Sequence, residues 1–293
     1  MNCLICGSTQ ISSYGNNAKN FPIEHCESCN LYYVKTSHTP SQEYLKERYK
    51  ENFWRDANYN IEEMIKSDFT NKEGKHFALN WSSMYSYCKK FLSSKKSILE
   101  IGVGTGVHTI MFDKLGFDVT GIEPDDHNAK LINEKLKNGK CINGMLEDIS
   151  FQKKFDIIYL YHVVEHVPRP DQFLRKCSDL LHENGCLIIA VPDCGNAQTL
   201  NNSISNADHI WHFSKLSLMK LATKLGFKIH LCDSLATIKQ LNTQRVYRIL
   251  NRSGLAKLCN VIWPYWPLKI TNKNDGYEIR MILSKSHLNS TLN

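Results

Sequence analysis

With 293 residues, 42% apolar and 22% charged, the chain has material for one large domain plus a small accessory unit, or for two modest domains, which excludes wholesale disorder. Its longest apolar runs, such as Phe155–Val164, fall short of a membrane span, and the opening MNCLICGS lacks the order of a secretory signal, so a cytoplasmic protein is expected. The net charge of +7 is matched by seven basic residues between Leu235 and Asn274, a segment without an acid, so an anionic partner should meet that segment first.

The eleven cysteines fall into two groups. Cys3-Leu-Ile-Cys6-Gly7 and Cys26-Glu-Ser-Cys29-Asn30 are CxxC knuckles with nineteen residues between them, and the other seven cysteines are scattered, several within apolar runs. In a reducing compartment scattered cysteines are small core residues, whereas two knuckles supply the four thiolates of a tetrahedral Zn2+ site. Residues 1–38 are therefore expected to form a zinc ribbon that depends on its metal to fold. Gly7 and Asn30, each following a second cysteine, suit a backbone of positive φ. A redox dithiol would use one knuckle and leave the other unexplained. The ribbon lacks basic flanks, so it does not by itself point to nucleic acid.

Residues 39–94 read as a helical linker or lid. Tyr44, Leu45, Tyr49 and Phe53 are helically spaced behind Ser41 as N-cap, residues 57–75 are polar and linker-like, and a second helix covers about Phe77–Leu92. From residue 95 to 293 short apolar runs alternate with amphipathic segments, the pattern of an α/β parallel sheet. Strands are expected at Ser97–Ile101, Asp118–Ile122, Lys140–Asn143, Phe155–Tyr161, Cys186–Val191, Phe227–Cys232 and Tyr277–Ser284. Helices are expected near His108–Leu115, Asn128–Lys137, Asp171–His182 and Ser214–Leu225, with a further helical insert at about 236–270.

Ser97-Ile-Leu-Glu-Ile-Gly-Val-Gly-Thr-Gly106 runs from a strand into a turn and a helix. Gly102, Gly104 and Gly106 let the backbone approach a ligand at the carboxyl end of the first strand, and their GxGxG spacing differs from the dinucleotide GxGxxG. Glu100 would repel a pyrophosphate there and suits a cation such as the ammonium of S-adenosylmethionine. The second strand ends in Gly121-Ile-Glu123-Pro124, where a carboxylate can take both ribose hydroxyls. Gly144-Met-Leu-Glu-Asp148 follows the third strand, where an acid can reach an adenine amine.

The motifs EIGVGTG, GIEPD, EDI, FDIIYLYHVVEHVPRP, GCLIIAVP and DHIWHFSKLSLMKLATKLGF, covering about residues 95–233, resemble those of class I S-adenosylmethionine-dependent methyltransferases. The CxxC pairs followed by PSQEYLKERYKENFW resemble a bacterial subgroup with a zinc ribbon ahead of that domain, found among sugar, polysaccharide and natural-product pathway enzymes. The resemblance implies a Rossmann-like seven-stranded sheet. It also implies a cofactor lined by Gly102, Gly104 and Gly106, with Glu100 near its ammonium, Glu123 on the ribose and Asp148 on the adenine. Tyr161 and His162 would close over the sulfonium side. The acceptor implied is a small molecule or sugar, methylated on oxygen. An RNA methyltransferase and a cofactor-binding scaffold without turnover are the other readings.

His162, Glu165 and His166 are spaced i, i+3, i+4 where the fourth strand ends. Asp208-His209-Ile-Trp-His212 precedes a later helix, and the resemblance folds that segment over the acceptor pocket. A hydroxyl acceptor needs a base near neutral pKa, so His166 or His212 is the expected base. The competing readings are a second divalent metal at Glu165, His166, His209 or His212, and a purely structural role for the histidines. A similar Glu/His cluster occurs in small-RNA 3′-end 2′-O-methyltransferases, which carry Glu where this chain has His162. The basic segment ends in Trp263-Pro-Tyr265-Trp266-Pro267. It reads either as a solvated helix or as a surface for an anionic acceptor or an anionic membrane face, and is sparse in charge for RNA.

Overall fold

The computed structural model describes residues 2–50, 60–236, 269–271 and 276–286. The expected insert at about 236–270 lies almost wholly outside them, as do Phe53 and Cys259.

The N-terminal unit is three antiparallel strands, β1 (Ile11–Asn16), β2 (Pro22–Cys26) and β3 (Leu31–Val34). Each knuckle turns where foreseen, with Gly7 at φ 76° and Asn30 at φ 52°. The turns bring Cys3 Sγ to 3.8 Å from Cys29 Sγ and Cys6 Sγ to 3.5 Å from Cys26 Sγ. A tetrahedron with Zn–S bonds of ~2.3 Å has edges of ~3.8 Å, so the four thiols fit a zinc ion. The scattered Cys88, Cys141, Cys177, Cys186 and Cys194 are buried free thiols. Burial pushes Cys88 and Cys194 up to about 12, as inert core residues require.

Helix α1 (Gln42–Lys50) starts as expected at Ser41, whose Oγ accepts from the Tyr44 N–H. The polar stretch expected as a linker holds instead a short helix, α2 (Ile61–Lys66), capped by Asn60. Ile61, Met64 and Ile65 supply one narrow apolar stripe, which packs with Val103, Val107, Ile110 and Ile132. Helix α3 (Lys72–Leu92) is capped by Asn71 and begins a turn earlier than its apolar period suggests.

The remaining elements run β4 (Ser97–Ile101), α4 (Val107–Lys114), β5 (Asp118–Glu123), α5 (Asp126–Asn133), β6 (Lys140–Asn143), β7 (Phe155–Tyr161), α6 (Pro170–Leu180) and β8 (Leu181–Pro192). Then come α7 (Ala197–Ser205), β9 (Trp211–His212), α8 (Lys215–Lys224), β10 (Phe227–Ala236), β11 (Lys269–Thr271) and β12 (Glu278–Lys285). All seven expected strands pair in one sheet, in the order β10-β12-β8-β7-β4-β5-β6, and the short β11 adds an eighth at the β10 edge. The pairs from β8 through β6 are parallel, whereas β12 and β10 are antiparallel. Ile157, Ile158, Tyr159 and Leu160 are completely buried, because helices cover both faces of a parallel sheet. Helix α6 ends two residues short of the expected His182, since Leu181 already pairs with Phe155.

The chain leaves β4 toward β5 and β6, then returns to β7 on the other side of β4. That reversal opens a crevice at the carboxyl ends of β4 and β7, the place where open α/β sheets bind ligands. The ribbon is not tethered loosely beside this crevice. Its strand β3 pairs with β9, setting Tyr32 opposite His212 and Tyr33 opposite Trp211. No helix among the described residues is long and apolar enough to cross a membrane.

Candidate active site

A cavity of about 480 Å³ occupies the crevice, within the range of small-molecule sites. One half is built by the glycine loop. Gly102 (φ 72°) and Gly104 (φ 60°) line it, and a Cβ on Gly102 would stand 2.7 Å from the Val163 side chain. Gly106 does not line the cavity, contrary to expectation. It caps α4 at φ 82°, and a Cβ there would meet Ile132 at 2.7 Å, so its role is close packing of helix on helix.

Glu123, at the end of β5, lines the cavity and holds the loop in shape. Its Oε2 accepts from the Gly104 N–H at 2.6 Å and its Oε1 from the Asp125 N–H at 3.1 Å. Burial, opposed by these two donors, pushes its carboxyl up to about 8. Glu100 is fully buried on β4. Thr109 Oγ1 donates to one oxygen, and the other lies 3.4 Å from His108 Nδ1 without a hydrogen bond. An orphaned carboxylate oxygen on the wall of this half can accept from a cationic group. We expect Glu123→Ala to weaken S-adenosylhomocysteine binding by about 2–3 kcal/mol, because a buried acceptor is lost and the Gly104 and Asp125 N–H groups it anchors are left unpaired. Unchanged affinity by calorimetry would remove Glu123 from the cofactor site.

Asp148 is not brought to the cavity. It lies exposed and paired with Lys46 Nζ at 2.6 Å, while its neighbour Glu147 lines the wall. Both belong to a 3-10 turn, Leu146–Asp148, whose direction decides which acid faces in. Burial raises Glu147.

Tyr161 and His162 close the strand β7 side. His162 sits at φ 55°, which re-aims its ring. Its Nδ1 lies 3.1 Å from Glu165 Oε1 and its Nε2 3.0 Å from Glu278 Oε2. Burial alone would lower His162, but the two carboxylates reverse this and hold it at about 10. Both nitrogens are therefore N–H donors, and His162 has no lone pair with which to act as a base. Glu278 also accepts from Tyr161 Oη at 3.0 Å and from Arg280 Nε at 2.5 Å. Burial opposes its charge, yet Arg280 and His162 hold its carboxyl down to about 2. The sequence reading missed Glu278 and Arg280. Their signal was two opposite charges at i and i+2 in an apolar strand, hence on one buried face.

The histidines expected on the acceptor side separate clearly. His166 Nδ1 lies 2.9 Å from the Asp208 carbonyl oxygen and 3.1 Å from Tyr49 Oη. A carbonyl only accepts, so Nδ1 donates to it, and the His166 ring lines the cavity. His212 is fully buried and absent from the cavity wall, with its Nδ1 2.8 Å from Ser203 Oγ and its pKa lowered to about 3 by burial. His209 lines the wall instead, held by Ser203 at 2.7 Å and by Asn206 Nδ2 at 3.0 Å. Burial, then the neighbouring histidines, lower it well below the ordinary range. Tyr49 and Asn206 also line this half and were not foreseen.

Glu165, His166 and His209 bring one donor atom each within 4.8 Å of one another. Glu165 is completely buried and its Oε2 has no hydrogen bond, so it offers a ligand atom to a divalent cation, whereas His209 would have to give up its bond to Ser203 or Asn206, and His212 is not part of the set.

Residues 75–231, more than half of the chain, match the family described as "Methyltransferase domain". The chain belongs to this methyltransferase family. The methyltransferase domain is 34% identical over 115 residues to a ubiquinone biosynthesis O-methyltransferase of Rhodopseudomonas palustris (strain TIE-1), covering 35% of this chain and 46% of that protein. It is 30% identical over 112 residues to an uncharacterized methyltransferase of Alkaliphilus oremlandii (strain OhILAs), covering 37% and 52%. The chain thus spans about half the length of the curated relatives it matches. Among solved structures it resembles the plantazolicin methyltransferase BpumL in complex with SAH (TM-score 0.54, 15% identity, 83% of this chain and 96% of that one). A SAM-dependent methyltransferase from Archaeoglobus fulgidus has a TM-score of 0.52 at 16% identity, covering 70% of this chain and 92% of that one. At such identities the likeness carries the fold of the methyltransferase domain alone.

Proposed function

We propose that this protein transfers a methyl group from S-adenosylmethionine to an oxygen of a small-molecule or sugar acceptor. The observation that carries the reading is the cavity that joins the Glu100–Glu123 half to His166, whose Nδ1 is committed to the Asp208 carbonyl. S-adenosylmethionine, when bound, supplies an electrophilic methyl carbon. Glu100 would hold its ammonium and Glu123 its ribose. Tyr161 and His162, held by Glu278, wall the place where the methyl group must point. His166 Nε2 accepts the proton of the attacking hydroxyl while Asp208 holds Nδ1, so the imidazole is oriented throughout. The O-methyltransferase name of the relatives supports an oxygen acceptor. The four ribbon thiols we read as a structural zinc site, from their spacing and sulfur-only donor set.

A second reading of the acceptor side rests on the orphaned Glu165 Oε2. Glu165, His166 and His209 would hold a divalent cation, which would polarise the acceptor oxygen as a Lewis acid. Both readings are tested by S-adenosylhomocysteine release with a catechol, a uridine-diphosphohexose and a primary alkylamine as acceptors. Turnover is expected with a hydroxyl acceptor. Turnover with the amine alone would overturn oxygen transfer. Loss of turnover in a chelator that leaves the ribbon's metal in place would select the second reading.

A further inference from the structure

The acceptor-side imidazole is held by a residue that the ribbon holds in turn. Asp208 does not line the cavity, but its backbone carbonyl takes the His166 Nδ1 proton. Its side chain is gripped from two directions. Lys19 Nζ lies 3.2 Å from Oδ1 and Arg48 Nη2 lies 3.3 Å from Oδ2. Lys19 comes from the ribbon and Arg48 from α1, so two elements remote in the chain converge on one carboxylate.

Lys19 is itself aimed by a built turn. Asn17 is buried, and its Oδ1 accepts from the backbone N–H groups of Lys19 at 2.9 Å and Phe21 at 3.0 Å. Asn20 closes the turn at φ 59°. The backbone beside the clamp is held by the same ribbon. Val34 N–H donates to the Ile210 carbonyl, and Ile210 N–H donates to the Glu165 carbonyl, each within 2.9 Å. Ser214 Oγ donates to the Cys29 carbonyl at 3.1 Å, and Lys220 Nζ to the Ser28 carbonyl at 2.6 Å. Segment 208–214 therefore has the ribbon on one side and Glu165 and His166 on the other.

We propose that the ribbon is the positioning element of the acceptor site, and that Lys19 is a positioning residue that sets the His166 tautomer through Asp208. Lys19 is half-buried and Asp208 keeps Arg48 as a second cation, so the effect expected of Lys19 is on geometry more than on stability. With Lys19 gone, Asp208 keeps one cation and can swing toward Arg48. Its carbonyl then leaves the line of His166 Nδ1, and the proton is free to occupy either nitrogen. Nε2 would then carry a proton in part of the population and could neither accept one nor ligate a cation. The inference rests on the reading of His166 as the acceptor-side imidazole, but its test needs no acceptor.

The test is long-range proton–nitrogen NMR on the full chain labelled with 15N-histidine, with the His166 signals assigned by their loss in His166→Gln. In the unmodified protein Nδ1 should read as protonated and Nε2 as bare. Lys19→Arg should keep that pattern. Lys19→Met and Asp208→Asn should raise the Nε2-protonated fraction on the order of tenfold, as expected once the bond that fixes one tautomer is lost. S-adenosylhomocysteine affinity should stay within about two-fold, since neither Lys19 nor Asp208 lines the cavity. Unchanged nitrogen shifts in both Lys19→Met and Asp208→Asn would overturn the proposal. Loss of S-adenosylhomocysteine binding in both would overturn it as well, because the clamp would then hold the fold rather than the imidazole. Absence of oxygen methylation in the acceptor panel would leave the nitrogen shifts unaffected, so the two readings fail separately.

Discussion

Replacing His166 by alanine is expected to lower the methyl-transfer rate by about 10²–10⁴ while leaving S-adenosylhomocysteine affinity within a few-fold. The reason lies in the placement of the two ring nitrogens. Nδ1 is committed to the Asp208 carbonyl, so only Nε2 can receive the proton of an attacking hydroxyl. Of the neighbouring histidines His162, His209 and His212, none substitutes for it. His162 donates from both nitrogens, His209 Nε2 already accepts from Asn206, and His212 does not reach the cavity. Single-turnover rates with the acceptor that turns over in the panel, together with calorimetry, give the two numbers. A His166→Ala enzyme of full rate would mean that alignment alone suffices, as it can for an acceptor that is already a good nucleophile. His212→Asn is the matched control. It should leave the rate unchanged, since its ring meets Ser203 behind the cavity wall.

The second large effect concerns the ribbon. Elemental analysis should find about one zinc ion per chain, and Cys26→Ser should remove most of it. In small zinc units metal binding is worth about 10–16 kcal/mol, so a ribbon of three short strands should unfold without it. Here the loss should spread. Strand β9 would lose its partner β3, and Tyr33 would no longer stack on Trp211 at 5.6 Å. Hydrogen exchange should rise across residues 208–214, while β4 to β7, joined by their own parallel ladders, keep their protection. A full complement of zinc in Cys26→Ser would remove the thiols as ligands. Unaltered exchange in 208–214 after metal loss would show that the methyltransferase domain holds this segment without the ribbon.

The elements that could be read in advance are those specified by short-range pattern. The CxxC knuckles, the strand-to-glycine-loop turn at residues 97–106 and Glu123 at the end of the next strand depend on residues close in sequence. A turn that needs positive φ selects Gly or Asn locally, and a strand buried on both faces selects an unbroken apolar run. The helix at Ile61–Lys66 was missed because three apolar residues among polar ones give a weak period, yet they suffice to cover one stripe of the core.

What only the tertiary structure decided is which of several chemically equivalent side chains faces the cavity. Composition cannot distinguish Glu147 from Asp148; the direction of one 3-10 turn does. Nor can it distinguish His209 from His212. His212 is withdrawn because Trp211 and His212 pair with the ribbon, which turns the His212 ring toward Ser203 instead of the cavity. Glu278 reaches His162 across 116 positions, and Lys19 reaches Asp208 across 189, through strands and turns that meet only after folding. The sequence by itself determined the strands, the glycine loop and the CxxC knuckles, whose stereochemistry is local. The acceptor site was decided by the docking of the ribbon on the domain, because hydrogen-bond partners distant in the chain set each ring's orientation and protonation.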